Sequence, residues 1–588
     1  MRYRYLLGIL LLTASVAHAQ VAPQALEYTE VYDFIDELAT DGVIELTEAI
    51  RPYNRSQIAA MLSQAQAKDS LLSRRQKDDL QFYLQDYALE LDTLPVYHSY
   101  GHRHVTQWIT PVSNLSLADP SLHILTKNKM FKLRFRPILG MDLYMSKKGA
   151  ITKRWYGAEI QMDIAHHLSI WGSLRDNSWN GSMLSKTYFP TSSDRLYGAR
   201  LTQPGFLNSL PGVQYKEANY GGDFSDSRGG IALYTWWGRI AVERERLQWG
   251  DAQLSSTILS AHNPAVPMVT LQLTPCSWFQ FDYFHAWLVS NVADSTYYYN
   301  ENYAEGETRT HYRPMNKFMA ANMFTFKPIK YIHFSIGNSI VYAERNVQAA
   351  YFIPIAFYKS LDHLRLYGTF YIDEFKLARL KPSNKENNPL SYVLGFQWSG
   401  WPVNGLSLKG EFMRSYIATY THSIKVLDFT SNTYNMGHYM GDNAQSIFLQ
   451  LSYRPTRSLR LTLDYTQDTK YRKYDYVRKY IAGTRVPNPI IAQKPFSEKI
   501  WRNDELKFRA VYEVFNNCYA HVDIIYNNAR AFTPSSARID GEDRGWNADY
   551  TSRNLAGEEL KTYYLNKFTP AFMQGKNFTA VMGLSFGF

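Results

Sequence analysis

The last eleven residues, FTAVMGLSFGF, alternate with a period of two. Phe578, Ala580, Met582, Leu584, Phe586 and Phe588 share one face, and Thr579, Val581, Gly583, Ser585 and Gly587 share the other. That spacing predicts a strand with one strongly apolar face. The same period runs from about Lys129 onward. In FKLRFRP, Phe131, Leu133 and Phe135 oppose Lys132, Arg134 and Arg136. Tyr156, Ala158, Ile160, Met162 and Ile164 oppose Gly157, Glu159, Gln161 and Asp163; a turn at His166-His167 then leads into LSIWGSLRDNS. IFLQLSYRP, RSLRLTLDYTQD, LKFRAVYEVF and HVDIIYNNAR repeat the pattern.

Residues 25 to about 92 follow a helical period instead. Val31, Phe34, Ile35 and Leu38 predict a first helix that Gly42 stops. Asn54 or Ser56 can cap a second helix carrying Ile58, Met61 and Leu62. A third is expected from about Ser73 to Leu91, with Leu80, Leu84, Tyr87 and Leu91 on one stripe. Three such short amphipathic helices can form a small bundle, too polar to span a membrane.

MRYRYLLGILLLTASVAHAQ places Arg2 and Arg4 before an apolar run from Leu6 to Leu12 and the small-residue pattern Ala17-His18-Ala19. This predicts a secretory signal peptide over 1–19. The run falls short of the roughly 20 residues a spanning helix needs, and no Cys follows to carry a lipid.

Composition narrows the class. The 588 residues include 45 Tyr and are 15% aromatic, yet mean hydropathy is only −0.35. Past the signal there is no run of 18 or more apolar residues. An exported, Tyr-rich chain of this kind fits either a transmembrane β-barrel or a large secreted all-β protein. Connections decide between them. Short turns (RPTRS, AHH, FKPIK) alternate with long polar loops such as SNVADSTYYYNENYAEGETRTHYRP, the asymmetry of an outer-membrane barrel. The apolar face of the last strand is then written for lipid, and a closed barrel satisfies every backbone group there. About 460 residues at roughly 25 per strand and connection give around 18 strands, an even number as bacterial barrels have. The expected organisation is a signal peptide at 1–19, a periplasmic helical bundle at 20–95 and a closed antiparallel barrel with long extracellular loops at 96–588. The C-terminal strand, through Phe578, Met582, Leu584, Phe586 and Phe588, is expected to insert into outer-membrane lipid and lipopolysaccharide with the help of the barrel assembly machinery.

Candidate chemistry changes little. GLSFG at 583–587 matches the G-x-S-x-G nucleophile elbow, but that motif needs a following helix and a downstream His, and the sequence has neither. Asp373 and Glu374 are neighbours, which a strand points to opposite faces. His102 and His104 lack Cys, Asp or Glu partners nearby, so no metal is expected. GGDFSDSRGG is read as a flexible polar loop, with no helix to make it a phosphate cradle. Cys276 and Cys518 could pair in an exported protein, but two cysteines make no disulfide scaffold. No enzyme, cofactor or nucleic-acid partner is expected. The net charge of +10 leaves two readings of the strand arginines and lysines: attraction of an acidic glycan, or pairing with lumen acids or lipid-sugar phosphates.

One stretch is denser than the rest. VERERLQWGDAQLSSTILSAHNPAVPMVTLQL, Val242 to Leu273, runs from a charged strand into Trp249-Gly250, a Ser-rich segment, Asn263-Pro264 and a new apolar strand. It resembles the central signature of the capsule-assembly Wzi family. VYDFIDELATDGVI with RPYNRSQIAAML, YFIPIAFYKS with LRLYGTFYIDEF, and YMGDNAQSIFLQLSYRP resemble other parts of that family in the same order, over nearly the whole chain after 1–19. The resemblance implies an outer-membrane barrel of about eighteen strands with a periplasmic helical bundle, acting as a surface lectin that retains capsular or exopolysaccharide. Some relatives are associated with gliding motility and attachment. Sugar chemistry then nominates Trp249 for stacking and Asp251, Ser255, Ser256, His262 and Asn263 for hydrogen bonding, with Arg244 and Arg246 as lumen-side supports. A passive or substrate-specific outer-membrane channel is the alternative.

Overall fold

The computed structural model describes residues 22–95, 113–116, 119–183, 216–218, 221–472, 480–481, 484–485, 495–533 and 557–587, less 28, 47–48, 291, 303–307, 330, 344–345, 362, 374, 382–386, 401, 423, 432–433, 516 and 570. The signal peptide over 1–19, His102, His104, Glu374 and Phe588 lie outside them.

Eighteen strands, from β1 (Phe131–Ser146) to β18 (Gly575–Phe586), each pair antiparallel with the next. The ring closes where β18 pairs with β1, Thr579 opposite Ser146 and Phe586 opposite Leu139. Closure removes both sheet edges, the condition for setting β backbone in lipid. Among the described residues no helix is long and apolar enough to cross a membrane; strands make the crossing. Connections are short at one end of the barrel, as at 165–167, 277–278 and 454–458, and mostly long at the other, as at 246–265 and 416–443. At the turn predicted around His166-His167, Ala165 and His166 both take positive φ (54° and 59°), the hand that suits strand twist.

The register of β15 (Leu459–Tyr471), β16 (Lys499–Phe515), β17 (Cys518–Ala531) and β18 turns the sequence alternation into an outer surface. Leu463, Phe508, Ile524 and Ala580 form one outward row, and Leu461, Ala510, Val522 and Met582 the next. Tyr465, Leu506, Tyr526 and Phe578 bound this field on the long-loop side. Phe578 and Met582 are 66% and 53% exposed, the expected state of a lipid-facing strand. From Leu506 to Val514 a strand covers about 27 Å, or about 20 Å across a membrane at ~40° tilt, close to the ~25 Å band of such barrels. Phe586 departs from expectation. It keeps the outward parity but is only 9% exposed, flanked by Leu139 and Cys518 at the paired end of the strand. The two cysteines are unpaired: Cys276 ends β6 (Val266–Cys276) and Cys518 starts β17, on strands that are not neighbours. Gly583 to Phe586 continue β18, so the apparent nucleophile elbow is strand.

Inside stand the charged positions of the same alternation, and they receive the three N-terminal helices: α1 (Thr29–Thr40), α2 (Arg55–Gln66) and α3 (Arg74–Asp86). Gly42 ends α1 at φ 73°, its N–H bonding to Ala39 O at 3.0 Å while Val43 N–H bonds to Leu38 O at 2.9 Å. Asn54, not Ser56, caps α2, in a capping box with Gln57; Ser73 and Gln76 do the same for α3. The third helix stops at Asp86, short of the predicted Leu91, and Tyr87 is buried in the following turn beneath the Arg55 guanidinium, 4.0 Å from its ring centroid. Phe34, Ile35, Leu38, Ile58, Leu62 and Leu80 make one apolar core, joined by Ala356 and Tyr367 of the barrel wall. Around it runs a ring of ion pairs to lumen-facing residues. Asp92 meets Lys132 at 2.5 Å, Asp86 meets Arg136 at 3.0 Å, Glu27 meets Arg228 at 3.4 Å, Asp33 meets Lys409 at 2.7 Å and Asp79 meets Arg454 at 3.1 Å. These partners lie on β1, β4 (Gly221–Thr235), β13 (Leu406–Ser415) and the turn before β15. With the ring's strands contacting it on several sides, the bundle sits within the short-turn mouth of the barrel. For these cations, pairing with lumen acids is the answer.

Candidate functional site in the lumen and at the long-loop mouth

The signature segment leaves β5 (Gly238–Glu245) and folds into the lumen. Its Gln248-Trp249 pairs antiparallel with Ile50-Arg51 from the N-terminal region. Trp249 is 2% exposed, with Phe284 and Phe352 edge-on at 5.1 and 5.7 Å. The nominated stacking platform is therefore the centre of an internal apolar core, out of reach of a sugar ring. Gly250 follows it at φ 99°, donating to Ala49 O at 2.7 Å, and a Cβ there would stand 3.0 Å from Ser256 Oγ and Thr369 Oγ1. Only glycine fits that close approach without strain.

Asp251 accepts from Arg365 Nη2 at 2.6 Å and meets His333 Nε2 at 3.1 Å. Arg365 also reaches Asp36 of α1 at 3.4 Å, and Arg51 donates to Asp36 at 2.7 Å. Burial alone would raise the Asp251 carboxyl; the facing His333 and Arg365 outweigh it and hold the group below the usual carboxylate range. Three parts of the chain meet at this network: wall, inward loop and helix.

The remaining nominees are fasteners as well. Ser255 and Ser260 hydroxyls lie 2.9 Å apart, and Ser256 Oγ donates to Trp249 O. His262 Nε2 is 2.9 Å from Leu254 O, and burial lowers the imidazole's affinity for a proton. Asn263 donates to Ser260 O at 3.0 Å and Met436 O at 2.9 Å, tying this segment to a second inward loop, 416–443. Tyr420 of that loop donates to Thr257 O at 3.0 Å. Of the two arginines expected as lumen-side supports, only Arg246 faces the lumen. Arg244 shares the outward face with Ile240 and Val242 and donates to Ala265 O at 3.3 Å, because it keeps strand parity. Arg246 lies past the strand end and turns inward to Glu27 and Asp226.

A shallow concavity opens at the long-loop mouth, between β9 (Ile332–Ala343), β10 (Asn346–Leu361), β11 (Leu364–Ile372) and the loop 416–430. Tyr371, Tyr420 and Phe429 stack behind it, Tyr371 and Tyr420 5.4 Å apart and 30° from parallel. Asp373, Thr421 and His422, all partly exposed, add a carboxylate, a hydroxyl and an imidazole to its lining. The three rings are as buried as Trp249 and form the backing of the concavity, while the partly exposed polar trio offers hydrogen-bonding groups of the kind that suit sugar hydroxyls. Asp373 belongs to the neighbouring-acid pair that a strand splits between two faces, and no pattern in the sequence marks Tyr420 or His422. THSIKVLDF gives no periodic signal, and only the return of the loop to the wall brings these residues to Tyr371.

A closed barrel whose lumen holds its own N-terminal helices and two inward loops is an outer-membrane β-barrel protein. Among solved structures its fold is similar to that of Wzi of Escherichia coli, described as an outer membrane protein involved in group 1 capsule assembly and a carbohydrate-binding β-barrel. That likeness has a TM-score of 0.52 at 10% identity and covers 97% of this chain and 100% of that one. OprD of Pseudomonas aeruginosa (TM-score 0.35, 9% identity, 77% of this chain, 94% of that one) and OccAB2 of Acinetobacter baumannii (0.38, 7%, 78%, 97%) also match. No protein-family model and no curated protein matches the sequence.

Proposed function

We propose that this protein is a non-conducting outer-membrane barrel that binds capsular or exopolysaccharide at its long-loop mouth and retains it at the cell surface. The observation that carries this reading is the filled lumen. Ion pairs fasten the helices to the wall and two loops fold inward above them, which leaves the mouth as the place for a ligand and disfavours a channel. The capsule-assembly and carbohydrate-binding description of the similar Wzi barrel supports the same reading. In it, export uses the segment 1–19, the barrel assembly machinery recognises the C-terminal strand, and the short-turn end faces the periplasm. Trp249 and its neighbours hold the plug, while Asp373, Thr421 and His422 meet the glycan.

The test is binding of purified native polysaccharide to the full chain, with Asp373→Asn, Thr421→Ala and His422→Ala combined. Retained fold with at least a tenfold loss of affinity supports the mouth as the site. Unchanged affinity in the triple variant places any glycan elsewhere.

A further inference from the structure

On the outside of β15–β18 the side chains change character just past the row ending at Phe578. Register sets Gln467, Asp504, Asn528 and Lys576 in the next row toward the long loops, and Arg502 opposite Arg530 one row beyond. Asp504 holds both guanidiniums. Arg502 donates through Nε at 2.9 Å and Nη2 at 2.6 Å, and Arg530 through Nη2 at 2.9 Å. The Tyr465 hydroxyl and the Gln467 amide each donate to the same carboxylate at 3.3 Å. One acid thus fixes two cationic forks side by side on adjacent strands, a pairing of like charges that otherwise repels.

The arrangement has surplus charge and free donors. Two cations, Arg502 and Arg530, share the single carboxylate of Asp504, and Lys576, two strands along the same row, has no ion-pair partner among the described residues. The Arg530 side chain is 47% exposed and that of Arg502 24%. Stability alone gives little reason for the cluster, since ion pairs at the protein surface contribute little to folding. Its position does suggest a ligand. It borders the apolar field on the long-loop side, where the headgroups of surrounding lipid begin, and a guanidinium fork matches the oxygens of a phosphate.

We propose that Arg502, Arg530 and Lys576 form a binding site for the phosphorylated headgroup of an outer-leaflet glycolipid, with Asp504 as the positioning residue. The site is separate from the mouth and does not depend on the polysaccharide reading.

The full chain, purified in detergent and stripped of lipid, is titrated with bisphosphorylated lipid A, with dephosphorylated lipid A and with inorganic phosphate, and bound lipid is counted by native mass spectrometry. The phosphorylated lipid is expected to bind at least tenfold tighter than the dephosphorylated one. R502Q/R530Q/K576Q removes that preference while its heat-modifiable gel mobility confirms a folded barrel, and R502K/R530K keeps part of it. Equal binding of the two lipids, or an undiminished preference in the triple variant, overturns the proposal. Saturation by inorganic phosphate at the concentrations that suffice for lipid A makes this a free-anion site and overturns the lipid assignment.

Discussion

Arg365 on the barrel wall donates to Asp251 of the inward loop at 2.6 Å, with both side chains 1% exposed. The same guanidinium reaches Asp36 of the first helix, so one wall residue locks two parts of the plug. Breaking a buried pair by removing one partner costs about 3–5 kcal/mol, because the other charge stays buried and unpaired. Arg365→Ala is therefore expected to loosen the plug while the barrel persists. Planar-bilayer recordings should show conducting events that the unmodified chain lacks. A silent Arg365→Ala barrel with unchanged protease resistance of residues 29–86 would remove this network from the account.

Acid should undock the helices. Burial alone would raise the carboxyls of Glu27, Asp33, Asp36 and Asp86. The facing Arg228 and Arg246, Arg460 and Lys409, Arg51 and Arg365, and Arg136 and Arg55 outweigh it, and all four stay below their ordinary values, Glu27 at about 2. Groups depressed on folding stabilise fully above the unfolded value of about 4 and lose that stabilisation as pH falls through the folded one. Asp41 and Asp79 work the other way: burial raises both, so their contribution declines as pH rises past about 4. The larger set decides the sign. Protease protection of residues 29–86 should be full at pH 5–8 and fall below about pH 4; protection that weakens on going from pH 5 to 8 contradicts it.

Trp249→Ala opens a cavity between Phe284 and Phe352. Large-to-small changes of this kind cost about 3–5 kcal/mol, and Trp249→Phe should cost much less. If Trp249 touched the glycan instead, the Ala variant would lose binding with unaltered thermal stability. Melting followed beside polysaccharide affinity separates the two.

How much of this was legible in the sequence follows from what alternation can encode. Phe131, Leu133 and Phe135 against Lys132, Arg134 and Arg136 fixed which face meets lipid, since a strand offers only two. The helices over 29–86 could be read from Gly42, Asn54 and Ser73. What the charged face pairs with could not be read. Lys132 and Asp92, or Lys409 and Asp33, are far apart in sequence and meet only when the ring closes around the bundle. The signature segment was noticed for its density of Trp, Ser and Asn. The same residues satisfy the backbone of a buried loop, so composition could not tell a fastener from a ligand contact. Arg244 and Arg246 diverge because parity ends with the strand at Glu245.

The outward face supplies an independent check of the barrel's setting. Ile524 lies in the middle of the lipid-facing field, 49% exposed. Arginine there should cost about 2–4 kcal/mol in folding into a bilayer, falling to about 0–1 kcal/mol near the interface. Denaturant-dependent folding into vesicles, comparing Ile524→Arg with Asn528→Arg, reads that gradient. Equal costs would mean that this face does not span lipid.

Retention of polysaccharide at the surface is read out by the partition of glycan between cells and medium, with the gene deleted and then restored. Deletion is expected to move polysaccharide from the cells into the medium at constant total, and restoration with wild type, but not with the Asp373→Asn, Thr421→Ala, His422→Ala variant, is expected to return it. Unchanged cell-attached polysaccharide in the deletion strain would mean that this barrel does not retain it.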